Sequence, residues 1–259
     1  MVRREKSNYL IQSVSHALDV LEQFNVNADE IGVTELSKRL KLHKNNVFRL
    51  LATLEARGYI EQNKLTENYR LGLKCLQLGQ TFSRQTGLLL QSRGVLEELA
   101  KTTKESVFVA IRKNAGIVPL DFVEPQRSVR VVSFLGTALP AHCTAAGKIY
   151  LVFESEQGLS QHLPERLERF TDKTILERKS LLDQLKEIVV TGYALEQGEY
   201  TDDVSSVAVP IRDYTRILVG ALALAAPSYR LTSDAIKTNI APTLVRAGNE
   251  LSKRLGYAG

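Results

Sequence analysis

The tightest constraint in this sequence lies between Leu36 and Gly72. Val47, Leu50, Leu51 and Leu54 recur at i, i+3, i+4 and i+7. That spacing predicts one apolar stripe on a helix from about Lys44 to Arg57, stopped by Gly58. Before it, Thr34 reads as the N-cap of a short helix, Glu35 to Leu40, and Lys41–Leu42 as a tight turn. Upstream, Val14, Leu18, Leu21 and Phe24 predict a helix over Ser13–Phe24. Downstream, Tyr59–Gln62 and Tyr69–Leu71 read as two short strands joined by the polar stretch Asn63–Asn68. Helix, short helix, turn, helix and hairpin, in that order, describe a winged helix-turn-helix.

The charge pattern fits that order. The whole chain carries only +5 over 259 residues, which alone implies no particular partner. Its distribution says more: Lys38, Arg39, Lys41, Lys44 and Arg49 crowd one window, with His43, and no acid falls between Leu36 and Leu54. Opposite the apolar stripe lie Asn45, Arg49, Ala52 and Ala56, flanked by Asn46, Phe48 and Thr53. Asn can pair bidentately with adenine and Arg with guanine in the major groove, while small residues permit close approach. The lysines around the turn suit phosphates. Lys64 at the hairpin tip and Arg70 would lie beside the flanking backbone. The candidate contacts to double-stranded operator DNA are therefore Thr34, Lys41, His43, Lys44, Asn45, Asn46, Phe48, Arg49, Thr53, Lys64 and Arg70. The plain alternative for a basic amphipathic helix is a solvated face.

Beyond Gly72 the chain changes character. Leu73, Leu76, Leu88, Leu89, Leu90, Val95, Leu96 and Leu99 predict one long helix, or two broken near Gly87 or Gly94. Strands are expected at Val107–Arg112, Ile117–Glu124 and Val129–Phe134, then a helix over Thr144–Phe153 and another over Leu176–Val190 ending at Gly192. Strands at Tyr193–Gln197, Val204–Arg212 and Ile217–Ala225 and a helix from Ser233 to Leu255 complete an α+β order. The expected division is a DNA-binding domain over 1–75, a linker helix over 76–104 and a second domain over 105–259.

Several function classes drop out. Two cysteines, Cys75 and Cys143, form no disulfide framework and show no metal-ligand spacing. The first residues lack an apolar signal core, and the longest apolar run, Ile217 to Pro227, is too short to span a bilayer. A cytoplasmic protein without a membrane partner is expected. Residues 105–259 contain no catalytic or phosphate-loop motif. Cys143 directly follows His142, so on an extended segment the two side chains point apart and make no dyad. No catalytic residue, metal or cofactor is expected. Thr144-Ala145-Ala146-Gly147 opens a helix with small side chains, and its first amides suit a carboxylate. The same residues suit close helix–sheet packing, and the pattern alone does not choose.

Six segments together bear a resemblance: "SVSHALDVLEQF", "VTELSKRLKLHKNNVFRLLATLEARGYIEQ", "YRLGLKCLQLG", "LPAHCTAAGKIYL", "GYALEQGEYTDDVSSVAVPI" and "GALALAAPSYRLT". In this order the sequence resembles the IclR family of bacterial transcription regulators from about Ser13 to Leu255. It departs where family members often have Pro-Lys-Ser-Thr and this chain has His43-Lys44-Asn45-Asn46. The resemblance implies a C-terminal GAF-like effector domain, its central antiparallel sheet flanked by helices. It implies a pocket between that sheet and the Thr144 helix start, occupied by a small organic acid. It also implies a homodimer, or a dimer of dimers. Carried over residue by residue, it puts the effector at Thr144, Ala145, Ala146, Glu196, Ser206, Ala223 and Ala225. Some members have serines at the last two positions. Two alanines make a roomier, more apolar floor that suits an aromatic or longer acid. Glu196 could instead stand solvated in a loop. An architectural DNA-binding protein without an effector is the alternative function.

Overall fold

The computed structural model describes residues 10–24, 29–85 and 87–258. The chain divides into two compact units, Met1–Gln85 and Thr86–Gly259.

In the first unit, α1 (Gln12–Leu21), α2 (Val33–Leu40) and α3 (Lys44–Ala56) precede the hairpin β1 (Ile60–Gln62) and β2 (Tyr69–Leu71), and α4 (Leu73–Gln85) follows. The stripe of α3 does what its spacing predicts: Val47, Leu51 and Leu54 are buried with Val20, Leu36, Ile31, Ile60 and Tyr69, and Leu50 packs at the margin. The α2–α3 turn takes Lys41 through the left-handed region at φ 53°. Ser37 closes it, donating its hydroxyl to the Leu42 carbonyl at 2.6 Å and accepting the Leu42 N–H on its own carbonyl at 3.1 Å. Thr34 is not the N-cap. The helix begins one residue earlier, at Val33, with Gly32 at the cap position and no side-chain cap bond.

In the second unit, α5 (Gly87–Thr103) leads into β3 (Ser106–Lys113), β4 (Gly116–Val123) and the short β5 (Leu139–Pro140). Then come α6 (Ala145–Val152), α7 (Glu156–His162), α8 (Arg178–Thr191), β6 (Ala194–Gln197), β7 (Val204–Arg212) and β8 (Leu218–Pro227). The last helix starts at α9 (Ser233–Ala235), widens into a π turn over Ile236–Ile240 and continues as α10 (Ala241–Arg254). The strands form one antiparallel sheet in the order β5-β4-β3-β8-β7-β6.

Alternation along the strands makes two cores. Phe108, Ala110, Ala208, Ala221, Ala223 and Ala225 face α6 and α8. Val107, Val109, Val207, Val209, Leu222 and Leu224 face α5 and α10. On β7 and β8 the face under α6 is built of alanines, the other mostly of larger aliphatic residues. That difference leaves room on the α6 side.

Two expectations change. Val129–Phe134 is not a strand. Its polar backbone is held by side chains: Arg230 Nη2 donates to the Val129 carbonyl at 3.0 Å, Ser106 Oγ to the Val131 carbonyl at 2.6 Å, and the Ser133 N–H to Glu124 at 2.9 Å. The ladder place beside β4 goes to β5 instead, with Ile117 opposite Leu139. The helix α7 was not foreseen.

Glycine 147 fixes how deeply α6 seats. A Cβ there would fall 2.4 Å from both the Cα and the carbonyl oxygen of Ala141. Gly147→Ala is expected to destabilise the second unit by ~1–3 kcal/mol through overpacking against backbone, read as a lowered denaturation midpoint.

Candidate functional site

Two sites emerge, one in each unit. In the first, burial of Val47, Leu51 and Leu54 leaves Lys44, Asn45, Asn46, Phe48, Arg49, Ala52 and Thr53 exposed on α3. Phe48 keeps 57% of its surface in water, unusual for a phenylalanine with a core available on the same helix. His43 is the N-cap of α3, its ring nitrogen accepting from the Asn45 N–H at 3.4 Å. Thr53 donates its hydroxyl back to the Arg49 carbonyl at 2.8 Å. Among the described residues Lys41, Lys44, Arg49 and Lys64 are exposed and make no ion pair. Thr34 is exposed at the start of α2. Arg39 pairs with Glu35 one turn back. Arg70 stands apart from the free cations, because β1–β2 pairing puts it opposite Glu61 and its Nε lies 2.7 Å from that carboxylate. The loop at the tip of the hairpin is fastened by Glu30, which accepts from Asn63 Nδ2 and Thr66 Oγ1, both at 2.7 Å. The Asn63 bond, then the Thr66 bond, hold the Glu30 carboxyl below its ordinary range.

In the second unit a cavity of about 750 Å³ opens between the sheet, the start of α6 and the strap over residues 129–134. Thr144, Ala145, Ala146, Glu196, Ser206 and Ala225 all line it. Ala223 does not; it is fully buried two residues away on the same face of β8. Thr144 caps α6, accepting the Gly147 N–H at 3.2 Å and donating to the Pro140 carbonyl at 2.7 Å. The Ala145 and Ala146 N–H groups find no protein acceptor among the described residues. They are the orphan donors every helix start exposes, here turned to a cavity.

Glu196 is on β6 and only 3% exposed, so it is not a solvated loop residue. One carboxylate oxygen accepts from the Glu199 N–H at 2.6 Å and the Tyr200 N–H at 3.4 Å; the other accepts from Ser206 Oγ at 3.0 Å. Burial pushes its pKa up from 4.5 to about 7 against those hydrogen bonds. Cys143 is fully buried; desolvation first, then the nearby Glu199 and Glu196, push its thiol up to about 12. Such a thiol is no nucleophile. His142 is turned away, bonded to the Glu168 carbonyl at 2.9 Å. No group of three or more metal-binding side chains occurs among the described residues.

Sequence reasoning missed three parts of this site. The strap was read as a strand. The aromatic wall, where Phe134 meets Phe108 and Phe122 edge-on at 5.3 and 5.1 Å, depends on that strap. The third part is Lys148, fully buried, its Nζ 2.5 Å from Glu199 and 3.2 Å from the Leu195 carbonyl. Its signal was present: one lysine inside the apolar helix AAGKIYLV, with an acid available at Glu199.

The chain matches two family profiles: "IclR helix-turn-helix domain" over residues 13–64 and "Bacterial transcriptional regulator IclR C-terminal" over residues 80–253. It is 33% identical over 249 residues to the HTH-type transcriptional regulator XynR of Escherichia coli, covering 96% of this chain and 98% of that one. The chain belongs to the IclR family of transcriptional regulators. It is also 30% identical to BhcR of Paracoccus denitrificans, covering 93% of this chain and 86% of the relative. Among solved structures, an IclR-type regulator from Silicibacter sp. TM1040 is 32% identical with a TM-score of 0.79, covering 95% and 97% of the two chains. An IclR homologue from Microbacterium hydrocarbonoxydans, solved with 4-hydroxybenzoate, shares the fold at 19% identity and a TM-score of 0.83, covering 94% and 99%. This IclR-type protein is thus a transcriptional regulator, not an enzyme, with a DNA-binding helix-turn-helix unit and an effector-binding C-terminal domain. No helix among its described residues is long and apolar enough to cross a membrane.

The raised pKa of Glu196 has a stability consequence. A folded state that holds the proton more tightly than the unfolded chain is favoured at low pH, and the advantage disappears as pH rises through the folded pKa. Wild-type stability is expected to fall between about pH 4.5 and about pH 7 by on the order of 2–3 kcal/mol from this group. Glu196→Gln keeps the acceptor for the two backbone amides and should lose that slope, read from urea unfolding across the same pH range.

Proposed function

We propose that this regulator reads operator DNA through the exposed face of α3 and that its operator affinity is set by an organic acid of aromatic size held in the second unit. The observation that carries the effector reading is the pair of unpartnered amides at Ala145 and Ala146, opening on a cavity of about 750 Å³. A carboxylate completes those amides and is favoured by the helix dipole. The cavity exceeds what a two- or three-carbon acid fills, and Phe108, Phe134 and Tyr200 on its wall offer flat apolar contact. The Microbacterium homologue's complex with 4-hydroxybenzoate is in keeping with an aromatic acid. Thr144 and Ser206 add hydroxyls, Glu196 an acid, and Ala225 the roomy floor; Ala223 shapes that floor from beneath.

On the DNA side, Asn45, Asn46, Phe48 and Arg49 are the base readers, and Lys41, Lys44 and Lys64 the phosphate contacts. His43, Thr34 and Thr53 flank them. Arg70 reaches phosphate only by leaving Glu61. One winged helix reads too few base pairs for a unique genomic site, so a homodimer, or a dimer of dimers, on a palindromic operator is the working form. The effector acts by binding one arrangement of the recognition helices more tightly than the other, a coupling of ~1–3 kcal/mol.

Enrichment of fragmented genomic DNA by the purified protein should return a palindromic motif. Arg49→Ala should lose it, at a cost of ~1–3 kcal/mol and with relaxed specificity. Lys44→Ala should weaken all sequences alike and lower the salt slope by about 1. Diffuse enrichment unchanged by Arg49→Ala would leave an architectural DNA-binding protein. A thermal-shift panel tests the second unit. Aromatic acids should raise the midpoint and Ala225→Phe should abolish the shift without loss of DNA binding; tight glyoxylate or pyruvate binding with none by aromatic acids would reject the ligand class.

A further inference from the structure

The reading of a carboxylate at the start of α6 leads to a second conclusion, which rests on it. The two free amides and the Glu196 carboxyl line one cavity. They also belong to elements that touch. Lys148, one turn along α6 from Ala145, donates to the carbonyl of Leu195, the residue before Glu196, at 3.2 Å. Ser206 lines the same cavity and bonds Glu196 directly. An incoming carboxylate therefore shares its cavity with a carboxyl that is 3% exposed.

Among the described residues no cation pairs with Glu196; Lys173 is exposed, with its Nζ beside Gly198 in the turn after β6. From α6 comes Lys148, already committed to Glu199 and Leu195. Just before α6 is the Cys143 thiol, held neutral by burial. The turn after β6 brings Glu199, another acid, and the Tyr200 phenol; Glu199 Oε2 is itself buried without a partner. Asp203 lines the cavity ahead of β7, and β7 itself presents the Ser206 hydroxyl. The strap brings Arg130, whose Nε is 2.6 Å from Glu124. After β8 comes the Tyr229 phenol, bonded to Arg230. Two ionised carboxylates in such a cavity repel strongly, and a shared proton is the usual resolution.

We infer that the effector binds together with one proton, taken up from solvent by Glu196, so that this residue makes the regulator respond to an acid and to acidity jointly. The proton goes to the Glu196 oxygen that no backbone amide engages, the one beside Ser206. Neutral Glu196 then stands next to the effector anion as a hydrogen-bond donor. Ionised Glu196 excludes it. The position of its titration near neutrality, at about 7, makes the coupling felt in the ordinary pH range.

Calorimetry on the full chain tests this, with benzoate, 4-hydroxybenzoate and hexanoate as probes and benzamide as the uncharged control. Binding is followed from about pH 6 to about pH 8.5, and in phosphate and Tris at one pH to count protons. The expected result is affinity for the acids falling up to about tenfold per pH unit above about pH 7, with proton uptake, while benzamide shows no such slope. Glu196→Gln should bind the acids with no slope. Acid binding that is flat with pH in the wild type, or an unchanged slope in Glu196→Gln, overturns the proton coupling and leaves the carboxylate reading standing. Binding of none of the acids at any pH overturns both. Proton counting uses the wild type alone, so the result does not depend on the variant's stability.

Discussion

The second unit is organised around a charge at its centre. Lys148 sits on a helix whose other residues from Ala145 to Leu151 are also buried, and its ammonium has no access to water. Such a charge is tolerable only if paired and hydrogen-bonded. It therefore dictates where Glu199 and the Leu195 carbonyl must be. Glu199 cannot move, because the Thr171 and Thr174 hydroxyls hold the Gly198 and Glu199 carbonyls, each at 2.6 Å. That turn in turn supplies the amides that grip Glu196. One buried ion pair thus sets the depth of α6, the course of the chain after β6 and the acid in the cavity.

The sheet makes the space that this arrangement frames. Along β8 the residues toward α6 are Ala221, Ala223 and Ala225, and those toward α10 are Leu222, Leu224 and Ala226. A strand with leucines on both faces would fill the gap under α6. Gly147 lets the helix come down onto Ala141 at one side of that gap, and the strap closes another. The cavity is therefore a deficit of side-chain volume bounded by tight contacts. A scaffold of that kind suits a ligand site that must keep its shape when empty.

Much of this could be read in the sequence wherever a single element decides its own structure. The stripe of α3, the stop at Gly58, the two hairpin strands and most strands of the second sheet follow from local periodicity. Legibility failed where side chains from distant segments decide the backbone. Val129–Phe134 has the alternation of a strand, but Arg230, Ser106 and Glu124 take its hydrogen bonds and leave it outside the sheet. Thr34 looks like a cap, yet α2 starts a residue before it. Arg70 looks like a phosphate ligand, yet the register of the wing places Glu61 opposite. The site residues taken from the resemblance fall together around one cavity, except Ala223, which lies a step beneath it.

The strap has a kinetic meaning of its own. It is tied by Glu105, fixed between Arg127 and Arg230 at 3.2 and 2.7 Å, and by the side-chain bonds to Val129, Val131 and Ser133. No ladder bond of the sheet needs to break for it to lift. Lifting it would cost a few local hydrogen bonds and the packing of Val131 and Phe134 on one core, whereas unfolding the domain costs both cores. How readily the strap lifts and how firmly the two cores hold therefore depend in part on different residues. Changes at Glu105 and its arginines would reach the strap while leaving the six-stranded sheet and its two cores as they are.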